Sequence, residues 1–366
     1  MKRVSVAVTN DLIADNRVHR TCLSLVEAGY EVTLTGRRYR DTPAVNPRPY
    51  KMHRMHLLFR KGPLFYAEYN LRLFFRLLFS RPAIILSNDL DTLPGCVAAA
   101  SLTRTTVVYD SHEYFTEVPE LAGRPQIRKI WKWLEKILVP RVQAAYTVCD
   151  SIAEIYSSEY GIRFDVVRNL PLPVNLETRN AADRLVSERP SIIYQGALNL
   201  GRGLENAIKA MELIPEADLI LAGSGDKEKE LKEIAAGITS KNVFFKGRVP
   251  LEELADLTRS ASLGISIEED LGLNYRYALP NKLFDYLQAG IPVVVSNLPE
   301  MRKIVEHYQV GLIAGSNLPE NLAETFRKAL FDPVLRKSWE PGLNQAAKEL
   351  SWENEKQRVL EIFTRF

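Results

Sequence analysis

Short runs of β-branched and aliphatic residues alternate along this chain with stretches in which apolar positions recur every three or four residues. In the first half, Val4 to Val8, Glu31 to Thr35, Ala83 to Leu86 and Thr106 to Tyr109 read as strands, and Asn16 to Ala28 has helical spacing. That helix stops at Gly29, a residue suited to the left-handed position just past a helix end. A further strand around Thr147-Val-Cys-Asp-Ser151 precedes a helix starting near Ser151, and Val166-Val-Arg-Asn-Leu-Pro171 follows. A second alternating set begins at Ser191 to Tyr194. It continues through Ala217 to Ala222, Asn242 to Lys246, Leu263 to Ile267 and Pro292 to Ser296, each strand ahead of a helical pattern. Such alternation implies α/β architecture, with parallel strands joined by crossover helices. Two such sets predict two doubly wound, Rossmann-like domains facing a central cleft, with ligands at the carboxyl ends of the strands. The polar, aperiodic stretch after residue 172 sets the boundaries: a first domain over 1–172, a linker over 173–190, a second domain over 191–345 and a helical tail over 346–366.

Composition narrows the class only a little. With 366 residues, 46% hydrophobic and 25% charged, the chain has the make-up of an ordinary globular protein large enough for two cores. A net charge of +3 is too mild to argue for a nucleic-acid partner. Cys22, Cys96 and Cys149 are far apart and lack metal-ligand spacing, which argues against a zinc site or a disulfide framework and fits a reducing cytoplasm. The run Val4 to Val8 is too short for a signal peptide, and no run approaches the roughly 18 apolar residues that span a bilayer. A cytoplasmic protein is expected, with peripheral contact at the inner face of the membrane left open.

The most informative segment is Tyr277-Ala-Leu-Pro-Asn-Lys-Leu-Phe-Asp-Tyr-Leu-Gln-Ala-Gly-Ile-Pro-Val-Val-Val-Ser296. A turn with Pro280, Asn281 and Lys282 runs into a short helix ending at Gly290, and Pro292 leads into a strand. The helix start favours an anion such as a phosphate. Asp285, one turn in, can accept two hydrogen bonds from a ribose diol while Lys282 neutralises phosphate charge. These are the requirements of a sugar-nucleotide site.

This segment is similar to the donor-binding signature of retaining glycosyltransferases of family 4, two-domain enzymes of the GT-B fold, in which an acid precedes an Ala-Gly-x-Pro-Val run. The usual pattern there is Glu, seven residues, then Glu. Here Asp285 stands second and Tyr277 first, so Glu268, Glu269 and Asp270 just upstream are candidates for the missing acid. A related subgroup with a Pro-x-Lys turn looks like this chain. The loop Tyr194-Gln-Gly-Ala-Leu-Asn-Leu-Gly-Arg-Gly-Leu204 also resembles the family, whose loop reads Gly-Arg-Leu, three residues, Lys-Gly. Gly196 and Gly203 match, Arg202 stands at the lysine position, and Ala197 replaces the arginine. Read without the resemblance, the loop is a glycine-rich turn with an exposed arginine. Ala222-Gly-Ser-Gly-Asp226 and Phe245-Lys-Gly-Arg248 follow strands as well. Neither has the spacing of a dinucleotide fingerprint, which argues against hydride transfer.

The resemblance covers nearly the whole chain, most strongly 191–315, and it implies the following roles. Arg202, Lys282 and His112 are catalytic. Gly196, Gly203, Gly223, Gly247, Tyr277, Leu279, Pro280, Asn281 and Asp285 bind the donor. The terminal helix crosses back onto the first domain. His112, in Tyr109-Asp-Ser-His-Glu-Tyr114 at a strand's carboxyl end, matches a histidine facing the donor sugar, and Glu113 beside it is an acceptor-side candidate; read from the residues themselves, Asn88 and Asp89 in Asn88-Asp-Leu-Asp91 are acceptor contacts or helix caps. Asp15 reads as a helix cap and Arg168-Asn169 as a turn or an acceptor contact. The implied reaction moves a hexose from a nucleoside-diphosphate sugar to a hydroxyl of a carbohydrate or lipid-linked acceptor, with retention, in surface polysaccharide or glycolipid synthesis. No cofactor and no metal are expected, because basic side chains take the metal's place. A sugar-nucleotide epimerase and a non-catalytic sugar-nucleotide binder are the alternatives.

Lys61 to Arg81 mixes aromatics with basic residues. It reads both as a crossover helix packing Leu71, Phe74, Phe75 and Leu78 on the sheet and as a basic amphipathic helix on an anionic membrane. The Trp- and Lys-rich stretch Ile127 to Leu138 adds slightly to the second reading.

Overall fold

A computed structural model describes residues 1–13, 15–39, 45–173 and 189–366. The expected linker 173–190 therefore lies largely outside the described residues. The chain divides into two compact units, Met1–Asn169 with Glu355–Phe366, and Leu170–Asn354.

In the first unit the elements run β1 (Arg3–Ala7), α1 (Asn16–Glu27), β2 (Glu31–Arg38), β3 (Lys51–His56), α2 (Pro63–Ser80), β4 (Ile84–Asn88) and α3 (Leu93–Thr103). They continue with β5 (Thr106–Ser111), α4 (Pro119–Ala122), α5 (Pro125–Leu138), β6 (Ala144–Thr147), α6 (Asp150–Tyr160) and β7 (Phe164–Val166). All seven strands form one parallel sheet in the order β3-β2-β1-β4-β5-β6-β7. The order reverses between β1 and β4, which opens a crevice at their carboxyl ends. Asp15 caps α1, its Oδ1 accepting from Val18 N at 3.0 Å, in line with the capping role expected for it. Arg168 pairs with Asp150 of α6 at 3.3 Å and Asn169 accepts from Arg20 of α1 at 2.5 Å, so both tie the end of β7 to helices of the first unit.

One expectation about α2 is corrected. The buried stripe is Phe65, Tyr69, Leu73 and Leu77, whereas Leu71 and Phe75 are exposed. The helix is apolar almost all round, so helical spacing alone offers two stripes. The stripe chosen repeats every fourth residue and carries Tyr69, whose hydroxyl donates to the Val8 carbonyl.

In the second unit the order is β8 (Ser191–Gln195), α7 (Leu204–Met211), β9 (Asp218–Ala222), α8 (Glu228–Gly237), β10 (Val243–Gly247), α9 (Leu251–Ser260) and β11 (Leu263–Ser266). Then come α10 (Leu273–Arg276), α11 (Asn281–Ala289), β12 (Val293–Ser296), α12 (Pro299–Tyr308), β13 (Gly311–Ala314), α13 (Pro319–Phe331) and α14 (Pro333–Glu349). The six parallel strands lie in the order β10-β9-β8-β11-β12-β13, reversing between β8 and β11. A last helix, α15 (Trp352–Thr364), groups with the first unit from Glu355 onward. The core of the second unit runs along Ile192, Ile193, Leu219, Leu263, Ile265, Val293 and Val294, all fully buried beneath the helices.

Among the described residues no helix is long and apolar enough to cross a membrane, and no cluster of His, Cys, Asp and Glu is arranged to hold a metal. All three cysteines are buried, and none is in a disulfide among the described residues.

Candidate active site

At the reversal point of the second sheet, β8 runs straight into a loop built on glycine. Gly196, Gly201 and Gly203 all have positive φ, as do Gly223 after β9 and Gly247 at the end of β10. For Gly223 the need is double: its φ is +148°, and a Cβ there would lie 1.8 Å from the Gly196 carbonyl oxygen. The two loops are laced together, with Gly196 N donating to Ala222 O at 3.0 Å and Leu198 N to Ser224 O at 3.1 Å. Gly223 N reaches Gly247 O at 2.7 Å, which ties in the third loop, and Arg248 Nε donates to Ser224 Oγ at 2.7 Å. A backbone cradle therefore forms at the carboxyl ends of β8, β9 and β10.

Helix α11 is pressed onto this cradle by its own buried face. Tyr286 packs against Gly264, where any Cβ would approach its ring to 2.4 Å. The Tyr286 hydroxyl accepts from Gln195 N at 3.1 Å and donates to Ile265 O at 3.2 Å. Pro280 stands at the helix cap and Asn281 is its first residue, exposed, so Lys282 lies inside the first turn rather than in the turn before it. Tyr277 closes α10, and Leu279 packs half-buried against the core. Asp285 Oδ2 accepts from Gln195 Nε2 at 2.8 Å, and Gln195 Oε1 accepts from Thr258 Oγ1 at 2.7 Å. Neither Gln195 nor Thr258 carries a sequence signal. Each is found only because β8 and α9 meet α11.

The charges converge on Glu268, just past β11. Its carboxylate is fully buried and meets Lys282 Nζ at 2.5 Å and Arg202 Nη1 at 3.6 Å, while its Oε2 accepts from Ser266 Oγ at 2.8 Å. Burial alone would raise this carboxyl; Lys282, the Ser266 hydroxyl and Arg202 outweigh it and hold the group below its ordinary value. Lys282 Nζ also lies 4.3 Å from the Tyr194 ring centroid. Arg202 spans 5.9 Å to the ring of Tyr275, and its Nε–H is buried with no hydrogen-bond partner among the described residues. Two cations and one carboxylate leave one net positive charge and unsatisfied guanidinium donors, the chemistry of an anion site. Of the three acid candidates, Glu268 is thus locked on cations, Glu269 is half-buried with its carboxyl raised by burial and by Glu205, and Asp270 is exposed and pairs with Arg276 at 2.8 Å.

The first unit gathers its candidates separately, at the carboxyl ends of β4 and β5. His112 Nδ1 lies 3.3 Å from Asp89 Oδ2, and Nε2 lies 3.2 Å from Asp110 Oδ2 and 3.3 Å from Asn88 Oδ1. Asp89 also accepts from His112 N at 2.9 Å and holds φ at +58°, an unusual backbone for a non-glycine residue. Behind the histidine, Arg17 forks onto Asp110 through Nη2 at 2.7 Å and Nε at 3.0 Å, both side chains being almost wholly buried. Burial would lower the imidazole, but Asp89 and Asp110 raise it to about 9; Asp110 is held at about 2 against its own burial by Arg17 and His112. His112 is accordingly an imidazolium at neutral pH with both nitrogens engaged. Asp91, which accepts from Thr9 Oγ1 at 2.6 Å, is raised to about 7 by burial and by Asp89. Glu113 contributes its carbonyl to Ser111 Oγ at 2.8 Å. The pairings of Arg17 with Asp110 and of Thr9 with Asp91 went unread in the sequence, because the partners lie 93 and 82 residues apart.

Comparison with known proteins identifies the family. Residues 177–344 match the family described as glycosyl transferases group 1, and residues 14–178 match glycosyltransferase family 4. An uncharacterized glycosyltransferase of Methanocaldococcus jannaschii is 27% identical over 58% of this chain and 54% of its own length. A phosphatidyl-myo-inositol mannosyltransferase of Mycobacterium leprae is 23% identical over 53% of this chain and 52% of its own. The chain spans about half the length of the curated relatives it matches. Among solved structures, the lipopolysaccharide-biosynthesis glycosyltransferase WaaG has a TM-score of 0.76 at 15% identity, covering 98% of this chain and 99% of that one. HepE of Anabaena, seen with UDP-glucose, has a TM-score of 0.75 at 14% identity with full coverage of both chains. With its two parallel-sheet α/β units and both family matches, the chain belongs to the family 4, group 1 glycosyltransferases of the GT-B fold.

Proposed function

We propose that the protein transfers a hexose from a nucleoside-diphosphate sugar to an acceptor hydroxyl, with retention, in the synthesis of a surface polysaccharide or glycolipid. The observation that carries this reading is the buried, unpartnered Nε–H of Arg202 beside Lys282, on a glycine cradle at the reversal point of the second sheet. A departing diphosphate would collect its growing negative charge there. Lys282, Arg202 and the start of α11 would supply the stabilisation that a metal supplies elsewhere, so turnover should survive a chelator. Asp285 would take the ribose hydroxyls. Gly196, Gly203, Gly223 and Gly247 would let backbone approach the nucleotide, with Tyr277, Leu279, Pro280 and Asn281 lining it. In the first unit, His112 with Asn88, Asp89 and Glu113 would serve the acceptor side. Two relatives carry names of mannosyltransferases for phosphatidylinositol-based lipids, which supports a lipid-linked acceptor.

A lipid acceptor also suits the outer faces of α2 and α5. They expose Leu64, Leu71, Phe75 and Phe79, and Ile127, Ile130 and Trp133, next to the exposed cations Arg72, Lys129 and Lys136. Aromatic rings interleaved with cations suit an anionic lipid surface, which we propose as the place of action. The direct test incubates the protein with UDP-, GDP-, ADP- and dTDP-hexoses, with and without a lipid-linked acceptor extract. Acceptor-dependent release of nucleoside diphosphate supports transfer; a new sugar-nucleotide isomer without acceptor would indicate an epimerase, and binding without release a non-catalytic binder.

A further inference from the structure

Glu268 is a costly residue for a phosphate site to carry. A buried carboxylate must be paired to be tolerated, and here it takes up the charge of the two side chains that would otherwise face the ligand. Its side chain is fully buried, with contacts of 2.5 Å to Lys282, 3.6 Å to Arg202 and 2.8 Å to Ser266. Lys282 comes from α11 and Arg202 from the loop after β8, and Glu268 is the group common to both. Arg202 nonetheless keeps a buried N–H without a partner among the described residues, so the internal anion does not saturate the site.

We propose that Glu268 is the positioning residue of the donor's diphosphate subsite: a built-in counter-anion that sets Lys282 and Arg202 on one point and holds the subsite to a single net positive charge, limiting how tightly a nucleoside diphosphate is retained. The inference rests on the donor-site reading above. It has a consequence that a merely structural role lacks. Removing the carboxylate should tighten diphosphate binding, because a ligand anion then meets two positive charges instead of one. A nucleoside without phosphates should not notice.

The test is titration calorimetry of wild type and Glu268→Gln with UDP, GDP and ADP and with the parent nucleosides, at several salt concentrations. The expected result is a Kd for the preferred diphosphate lower by about tenfold with a steeper salt dependence, and an unchanged Kd for the nucleoside. An unchanged or weaker diphosphate affinity in a folded Glu268→Gln protein overturns the assignment. Should that variant not fold, Lys282→Met and the double variant Lys282→Met/Glu268→Gln carry the same question. Lys282→Met leaves Arg202 and Glu268 cancelling, and adding Glu268→Gln restores one positive charge. Diphosphate affinity should therefore recover in the double variant, and a further loss overturns the proposal. If neither wild type nor any variant binds a nucleoside diphosphate, the donor-site reading itself fails and takes this inference with it.

Discussion

Replacing Arg17 by methionine should unsettle the first unit by about 3 kcal/mol, and the structure gives two routes to that figure. Arg17 and Asp110 are 4% and 1% exposed and joined by two hydrogen bonds of 2.7 and 3.0 Å, with a third from Arg17 Nη1 to Val167 O at 3.0 Å. Removing one partner of a buried pair costs about 3–5 kcal/mol, and His112, 3.2 Å from the orphaned carboxylate, keeps the loss at the lower end. Independently, the Asp110 carboxyl is held at about 2. That is roughly 2 units below its ordinary value, which by linkage contributes about 2–3 kcal/mol at neutral pH. The sign follows from the depressed value. The contribution is complete above pH ~4 and is lost as pH falls through about 2, so Arg17→Met should flatten the acid limb of stability. The assay is urea denaturation from pH 2 to 8, with Trp131 and Trp133 in the first unit and Trp339 and Trp352 in the second as fluorescence probes. Nucleoside diphosphate binding should persist, since the groups proposed for it all belong to the second unit. A loss under about 1 kcal/mol at pH 7, or an unchanged acid limb, would refute the reasoning.

The remaining expectations are more compact. Gly223→Ala should destabilise the second unit by roughly 3 kcal/mol or more and abolish nucleotide binding, because its Cβ would meet a backbone oxygen at 1.8 Å. Gly247→Ala, with φ +64° but nothing within 4 Å, should cost only about 1 kcal/mol in the same melts; equal losses would discredit the cradle. His112→Ala should depress turnover far more than nucleotide affinity in steady-state and binding measurements. It should also remove a stability contribution that is full below pH ~6.5 and lost as pH rises through about 9, a window that follows from the raised imidazole. The protein should sediment with acidic vesicles and release as salt rises, and Phe79→Asp with Trp133→Asp should leave it in the supernatant; binding that ignores both salt and substitutions would reject the lipid-facing role.

Much of the architecture was legible in the pattern of apolar positions, and the exceptions have physical causes. Strands such as β4 and β12 open on unbroken aliphatic runs, Ile84 to Leu86 and Val293 to Val295, because both faces of a parallel sheet are covered. The edge strand β3, Lys-Met-His-Arg-Met-His, has no β-branched residue and escaped notice, as did the short edge strand β13. Backbone features fixed locally were readable: Gly196, Gly203, Gly223 and Gly247 all adopt positive φ, and a helix does open at Pro280, with Asn281 and Lys282 in its first turn. Pairings made by tertiary packing were not. Glu268 was visible as an acid near the right place, but nothing local announces that Tyr286, seated on Gly264, would set α11 so that Lys282 closes on it. The same holds for Arg17 and Asp110, whose bond depends on α1 crossing to the end of β5.

The central claim is that Arg202 and Lys282 hold the diphosphate of a sugar nucleotide. It is tested most directly by calorimetric titration of the wild-type protein and the Arg202→Ala and Lys282→Ala variants with a panel of nucleoside diphosphates and their parent nucleosides. The account predicts that at least one diphosphate binds more than about tenfold tighter than its nucleoside. Each variant should lose roughly 1.5–3 kcal/mol of diphosphate affinity while nucleoside affinity stays put. Diphosphate and nucleoside binding equally well, or both variants retaining wild-type diphosphate affinity, would contradict it.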